Sequence, residues 1–303
     1  MTQTIHPVFE TAVPAPSPWL PVMPWLFVLI WSTGFIAAKF GLPFAPALTF
    51  LLLRFACVLI VLVPLVIVMR APWPTGRVGH IAVAGVLVHA GYLGGVWCAI
   101  KLGMPAGLSA LIVGMQPIFT AFAAPLIGES VRGKQWVGLV LGLVGVGLVV
   151  ANKINLIGLS AESIWLCVLA LVSITVGTLY QKRFCSHFDL RTGTTIQFAA
   201  SALVLLPLAI IFEDLTPTFS AVTWTPSFIG ALLWSVLALS IGAIFLLFSL
   251  IRKSAATSVT SLLYLTPPTT AVMAWLMFGE RFSLIGMAGM VLAVIGVAFV
   301  VKK

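Results

Sequence analysis

Acidic side chains are scarce in this chain: 303 residues carry 7 Asp and Glu against 16 Lys and Arg, and all charged types together reach 8%. Soluble globular chains carry about 25% charged residues, so that class is excluded. None of the carboxylates sits in the middle of an apolar run, where proton-coupled carriers place a titrating acid. A carboxylate relay or an acid-built sodium site is therefore not expected. Cysteine is also sparse. Cys57, Cys98, Cys167 and Cys185 show no metal-ligand spacing and fall mostly in apolar runs, so they read as free buried thiols. Missing too are a Walker A sequence, a His-Glu-x-x-His pair, a Cys-x-x-Cys pair and a Ser/His/Asp set with room for a site. ATP-driven pumping within this chain is thereby excluded, and neither an enzyme nor a bound cofactor or metal is expected.

What the chain has instead is apolar length: 61% hydrophobic residues and a mean hydropathy of +1.19. Spans of about 20 residues fill a bilayer core. Ten fit, at 22–40, 46–69, 79–100, 106–127, 135–151, 163–183, 193–212, 228–250, 256–278 and 284–301. Residues 1–18, with Pro7, Pro14, Pro16 and Pro18, read as an unstructured tail rather than a cleaved signal. The net charge of +9 is no nucleic-acid signature, because the basic residues stand singly or in pairs at span ends. With a cytoplasmic N-terminus, the inner loops and C-terminus collect Arg70, Arg77, Arg132, Lys134, Lys182, Arg183, Arg191, Arg252, Lys253, Lys302 and Lys303. That bias puts both termini in the cytoplasm.

The chain is also written twice. Shifting by 151 brings Pro117 onto Pro268, Gly128-Glu129 onto Gly279-Glu280, and Gly138 onto Gly289. Shifting the earlier part by 143 brings Gly34 onto Gly177, Lys39 onto Lys182, Phe55 onto Phe198 and Pro64 onto Pro207. Two repeats follow, 19–152 and 153–303, each with five spans. An odd count forces the second copy to enter the membrane inverted. Inverted repeats are an architecture of alternating-access carriers, with the site where the repeats meet.

Trp31-Ser-Thr-Gly-Phe-Ile-Ala-Ala-Lys39, the Arg54-Phe55 pair, and Gly128-Glu129 with Gly279-Glu280 after Pro-containing helices carry a resemblance. They resemble the drug/metabolite transporter superfamily, specifically its ten-span EamA type. The resemblance covers nearly the whole chain after Pro18. It implies an all-α basket of ten helices, two five-helix inverted repeats around a central cavity, in a bacterial inner membrane. It also implies export, amino acids and cations such as methyl viologen being among the cargoes of the family.

Candidate site residues follow from helix phase and polarity. His89 and Tyr92 are three apart and Trp97 lies eight from His89, so the three share a face of the third span. Trp31 stands mid-span beside Ser32 and Thr33, and Tyr264 precedes Thr266 and Pro267. Trp165 and Gln116 complete the expected cavity wall. Each has a plainer reading, with His89 a hydrogen-bonded structural group and the rings interfacial anchors. Arg54 lies roughly two turns inside the second span, at about 2.5–3.5 kcal/mol on the insertion scale. It reads either as a clamp for a substrate carboxylate or as a tie to backbone carbonyls, and its repeat mate is Gln197. Glu129 and Glu280 read as carboxylates near the start of the helix that follows each. Pro64, Pro117, Pro207, Pro267 and Pro268 fall at repeat-related places, as hinges or as static bends. Gly138, Gly142 and Gly145, with Gly286, Gly289 and Gly296, offer small-residue faces for packing inside the bundle or between two copies.

The function expected is a secondary carrier exporting neutral or aromatic amino acids or related metabolites, by facilitation or exchange. An organic-cation exporter is the alternative. The partners are a small-molecule substrate and the lipid bilayer, with no nucleic acid; monomer and homodimer both stay open.

Overall fold

A computed structural model describes residues 22–104, 106–151, 159–185, 188–213, 215, 219–278 and 283–301. The expected tail, the Gly279-Glu280 pair and the C-terminal lysines lie outside the described residues. All regular structure among those described is helical. In lipid, a backbone can satisfy its own polar groups only as a helix or a closed barrel, and long apolar runs choose the helix.

Among the described residues the elements group into ten rods: α1 (Met23–Gly41), α2 (Ala47–Val68), α3 (Val78–Lys101), α4 (Leu108–Ile127), α5 (Gly133–Ala151), α6 (Ala161–Phe184), α7 (Leu190–Phe212), α8 (Pro226–Lys253), α9 (256–278) and α10 (Leu284–Val301). Eight of them, all but α1 and α9, are long and apolar enough to cross a membrane. The rods follow the spans read from the sequence, and the largest differences are 193 against Leu190 and 250 against Lys253. The protein is a polytopic helical membrane protein.

The two halves are interwoven. Helix α1 packs on α8 and α9, while α6 packs on α3 and α4. Helix α2 packs on α7 and α8, α7 packs on α2 and α3, and α5 lies along α10. Each contact is matched by one with the halves exchanged. The α5–α10 seam is backbone against backbone. A Cβ at Gly145 would stand 2.6 Å from the Gly289 carbonyl oxygen, and one at Gly296 would stand 2.6 Å from that of Gly138. The glycine faces therefore serve packing within the chain. Small residues give this close approach where lipid supplies no hydrophobic drive.

Three irregularities shape the rods. Helix α4 breaks at Gly114–Met115, ahead of Gln116–Ala123, and α9 turns 3-10 at Leu262–Leu265, ahead of Thr266–Phe278. Pro117, Pro267 and Pro268 follow these breaks as early residues of the resuming helix, where a missing N–H costs little. Pro64 and Pro207 are inside α2 and α7 on exposed faces. The third irregularity is a π turn in both α3 (Val86–Gly91) and α8 (Ser235–Ala243), at repeat-related positions.

Where α4, α6 and α8 finish, the bundle is clasped. Gly128 ends α4 with φ +79°, a conformation that needs glycine although its surroundings are open. Glu129 is thereby turned away from α5 and towards α9, accepting a hydrogen bond from Ala256 N at 2.9 Å. This corrects the expectation that it sits at the start of the following helix. Lys182 lies 3.7 Å from Glu129 and donates to the carbonyls of Ile251, at 2.7 Å, and of Ser254. One acid thus covers the N-terminus of α9 while one base covers the C-terminus of α8, each suited to the dipole it meets.

Candidate functional site

A cavity lies between α1, α2, α3 and α8. It runs from Val88 and His89 at the π turn of α3 to Ala38 and Ile100 near the ends of α1 and α3, away from the clasp. Trp31, Arg54, His89, Tyr92 and Trp97 line it, so five of the residues singled out in the sequence meet in one place.

Aromatic stacking fixes the walls. Trp31 and Tyr92 are stacked nearly parallel, with centroids 6.4 Å apart and planes 6° apart. Trp97 stacks on Phe50 at 4.7 Å, and Phe50 in turn meets Phe228 edge-on. At the floor, the His89 ring stacks on Phe198 at 4.3 Å and has Phe55 and Phe248 around it. His89 is fully buried, yet among the described residues neither ring nitrogen has a partner within hydrogen-bond geometry.

Arg54 is 4% exposed and donates its Nε–H to Ser240 Oγ at 2.7 Å. Among the described residues, no backbone carbonyl accepts a hydrogen bond from it. Ser240 sits in the π turn of α8 and is the repeat mate of His89. Gln197, the repeat mate of Arg54, donates instead to Gln181 Oε1 at 2.9 Å, deep in the bundle.

Three expected wall residues lie elsewhere. Gln116 is buried between α4 and α6, donating to Thr178 Oγ1 at 3.1 Å. Trp165 is 71% exposed on the outside of α6. Tyr264 is buried against Gly142 of α5, and among the described residues its hydroxyl has no partner. Conversely, Gly34, Leu239 and Ile244 line the cavity and were not singled out. Leu239 and Ile244 are the repeat mates of Val88 and Leu93, which line it too and were likewise not singled out.

The cavity is lopsided with respect to the repeat. Near the floor both copies contribute, through Val88 with Leu239 and Leu93 with Ile244. Towards the mouth the lining comes from the first copy: Gly34, Ala38, Trp97 and Ile100. Their mates Gly177, Gln181, Phe248 and Ile251 are all buried, and Phe248 is fully so. Among the described residues, the mouth of this cavity is thus lined from one side of the pseudo-symmetric centre.

A helical bundle enclosing a one-sided cavity at the junction of two similar halves defines a membrane transporter rather than an enzyme. The family model of the EamA-like transporters matches residues 22–151 and again 162–302, and the chain belongs to that family. It is similar to the transporter YvbV of Bacillus subtilis, 28% identical over 91% of this chain and 89% of that one. It is also similar to a probable amino-acid metabolite efflux pump of Salmonella typhimurium, 26% identical over 89% and 91% of the two chains. The inner membrane transporter YedA of Escherichia coli K12 is 28% identical over 87% of this chain and 85% of its own. A solved crystal structure shares the fold, with a TM-score of 0.73 at 19% identity over 92% of this chain and 94% of that one.

Proposed function

We propose that this protein is a secondary carrier of the inner membrane that exports amino acids or related small metabolites by alternating access. The observation that carries the reading is the lopsided cavity: among the described residues, first-copy positions line its mouth and their repeat mates do not. In an inverted repeat, exchanging the two conformations turns an opening on one face into an opening on the other. The domains are repeats 19–152 and 153–303 with ten spans, and the charge bias puts both termini in the cytoplasm. The cavity then faces outward and the Glu129–Lys182 clasp closes the cytoplasmic side. The breaks beside Pro117 and Pro267–Pro268 are the hinges this reading needs, while Pro64 and Pro207 act as bends on the surface. The α5–α10 seam joins both copies within one chain, so a monomer suffices. Names of relatives that describe metabolite efflux support the direction of transport.

The test is reconstitution in proteoliposomes with a panel of labelled amino acids, with and without an imposed pH gradient. Flux without the gradient, lost in Trp31→Ala and Trp97→Ala, is expected for facilitation or exchange. Flux only with the gradient would overturn the uncoupled mechanism. Stacked rings also suit a flat organic cation, and transport of methyl viologen without amino acids would establish that second reading.

A further inference from the structure

The cavity holds a fixed positive charge and, among the described residues lining it, no negative one. Among the described residues Arg54 has no carboxylate within ion-pair reach and makes one hydrogen bond, from Nε to Ser240. Guanidinium offers five N–H donors in a planar fork. One is used, leaving the other four on the two terminal nitrogens. A buried charge is normally paired, and an unpaired one is expensive. The described acids are committed or remote: Glu129 holds Ala256 and Lys182, Asp189 holds Arg191, Glu213 holds Leu48 and Thr49, and Glu162 is exposed in the first turn of α6.

From this imbalance we infer that the substrate is a carboxylate taken up as a net anion, clasped by the terminal nitrogens of Arg54, with its apolar body between the Trp31–Tyr92 and Trp97 walls. The inference rests on the carrier reading and narrows its cargo. The free edge of a guanidinium fork matches the two oxygens of a carboxylate, forming a pair of charge-assisted hydrogen bonds. Ser240 fixes the fork from behind, so little side-chain freedom is lost on binding. An ammonium group finds no anionic counterpart in the described lining. Zwitterions should therefore bind more weakly than anions, and cations least.

The ligands that test this share a phenyl ring and spacer and differ in the charged end: phenylpropanoate, phenylalanine and phenethylammonium. Binding to the purified full-length chain is read by calorimetry, and flux in proteoliposomes is read separately. The expected order is phenylpropanoate first, phenylalanine second and phenethylammonium last. Arg54→Gln should weaken phenylpropanoate binding on the order of tenfold to a hundredfold, the worth of hydrogen bonds to a charge. Arg54→Lys should recover part of it, because the charge remains and the fork is lost. Should Arg54→Gln fail to fold, the ligand order on the native chain still decides. Equal or tighter binding of phenethylammonium overturns the inference, as does undiminished phenylpropanoate affinity in a folded Arg54→Gln. Arg54-dependent anion binding without flux of any ligand would uphold the anion site and sink the carrier reading. Flux that ignores ligand charge would do the reverse.

Discussion

The two copies of the repeat share a frame and differ in chemistry. Both have a π turn at the same place, a broken helix before the same proline, and one side of the glycine seam. Yet the first copy brings Arg54, His89, Tyr92 and Trp97 to the cavity, where the second has Gln197, Ser240, Ala243 and Phe248. Packing demands are the same in both halves and keep the frame alike. A substrate occupies the centre once, so its recognition groups need to exist in one copy only. The second copy supplies support, and Ser240 steadies Arg54 across the interface.

Breaking the shared frame should have the largest effect. In Gly145→Leu, the new side chain begins 2.5 Å from the Ala293 nitrogen and 2.6 Å from the Gly289 oxygen, and neither backbone can yield cheaply. A loss of at least about 3 kcal/mol is expected, read as loss of a monodisperse peak and a lowered melting temperature. Gly147→Leu, where the nearest atom to a new Cβ is a Leu111 methyl at 4.0 Å, should remain within about 0.5 kcal/mol. Equal damage from both would mean that the seam does not govern this site, since Leu is the better helix former at either position.

A middle-sized test sets repeat mates against each other. In a background lacking native cysteines, Ile100→Cys at the mouth should react with a water-soluble maleimide on the order of tenfold faster than Ile251→Cys beneath the clasp, since reactivity follows access to the thiolate. Adding Lys182→Ala should raise the rate at position 251 and lower it at position 100. Equal rates in the native background would remove the asymmetry on which alternating access rests.

The smallest effects should come from the helix caps. The N-terminus of α2 is capped from a distance by Glu213, at 2.8 Å to Leu48 N and 2.7 Å to Thr49 N. The matching end of α7 is capped locally by Asp189, 2.8 Å from Arg191 N. Asp189→Ala should cost about 0.5–2 kcal/mol. The Arg191 side chain, donating to Asp189, holds that carboxyl below its usual range. A depressed native pKa stabilises the fold above the unfolded value of about 3.9 and ceases to do so as pH falls through the native value. The melting-temperature gap between native protein and Asp189→Ala should therefore be full at neutral pH and close in acid. A gap that widens in acid would rule out the ionised cap.

The sequence disclosed the rods almost to their ends, because lipid requires unbroken apolar runs and loops interrupt them. It also disclosed His89, Tyr92 and Trp97 as one face, since polar groups in an apolar helix stand out. It could not orient Trp165 or Tyr264. In a soluble helix the polar face marks the outside, but in lipid both faces are apolar and phase is lost. Hence Trp165 turns outward and Tyr264 fills the space over Gly142. The service of Ser240 to Arg54 was equally hidden, because Ser240 sits in the π turn of α8. A π turn leaves no mark in composition.

Those π turns have a mechanical consequence. Each holds a surplus residue relative to α geometry, and a surplus can travel along a helix without the chain being cut or bent. Passing it by one position turns the intervening segment by about 100° and advances it about 1.5 Å. On α3 such a slip would carry His89 off the cavity floor, and on α8 it would draw Ser240 from beneath Arg54. Helices built this way can behave as screws as well as levers.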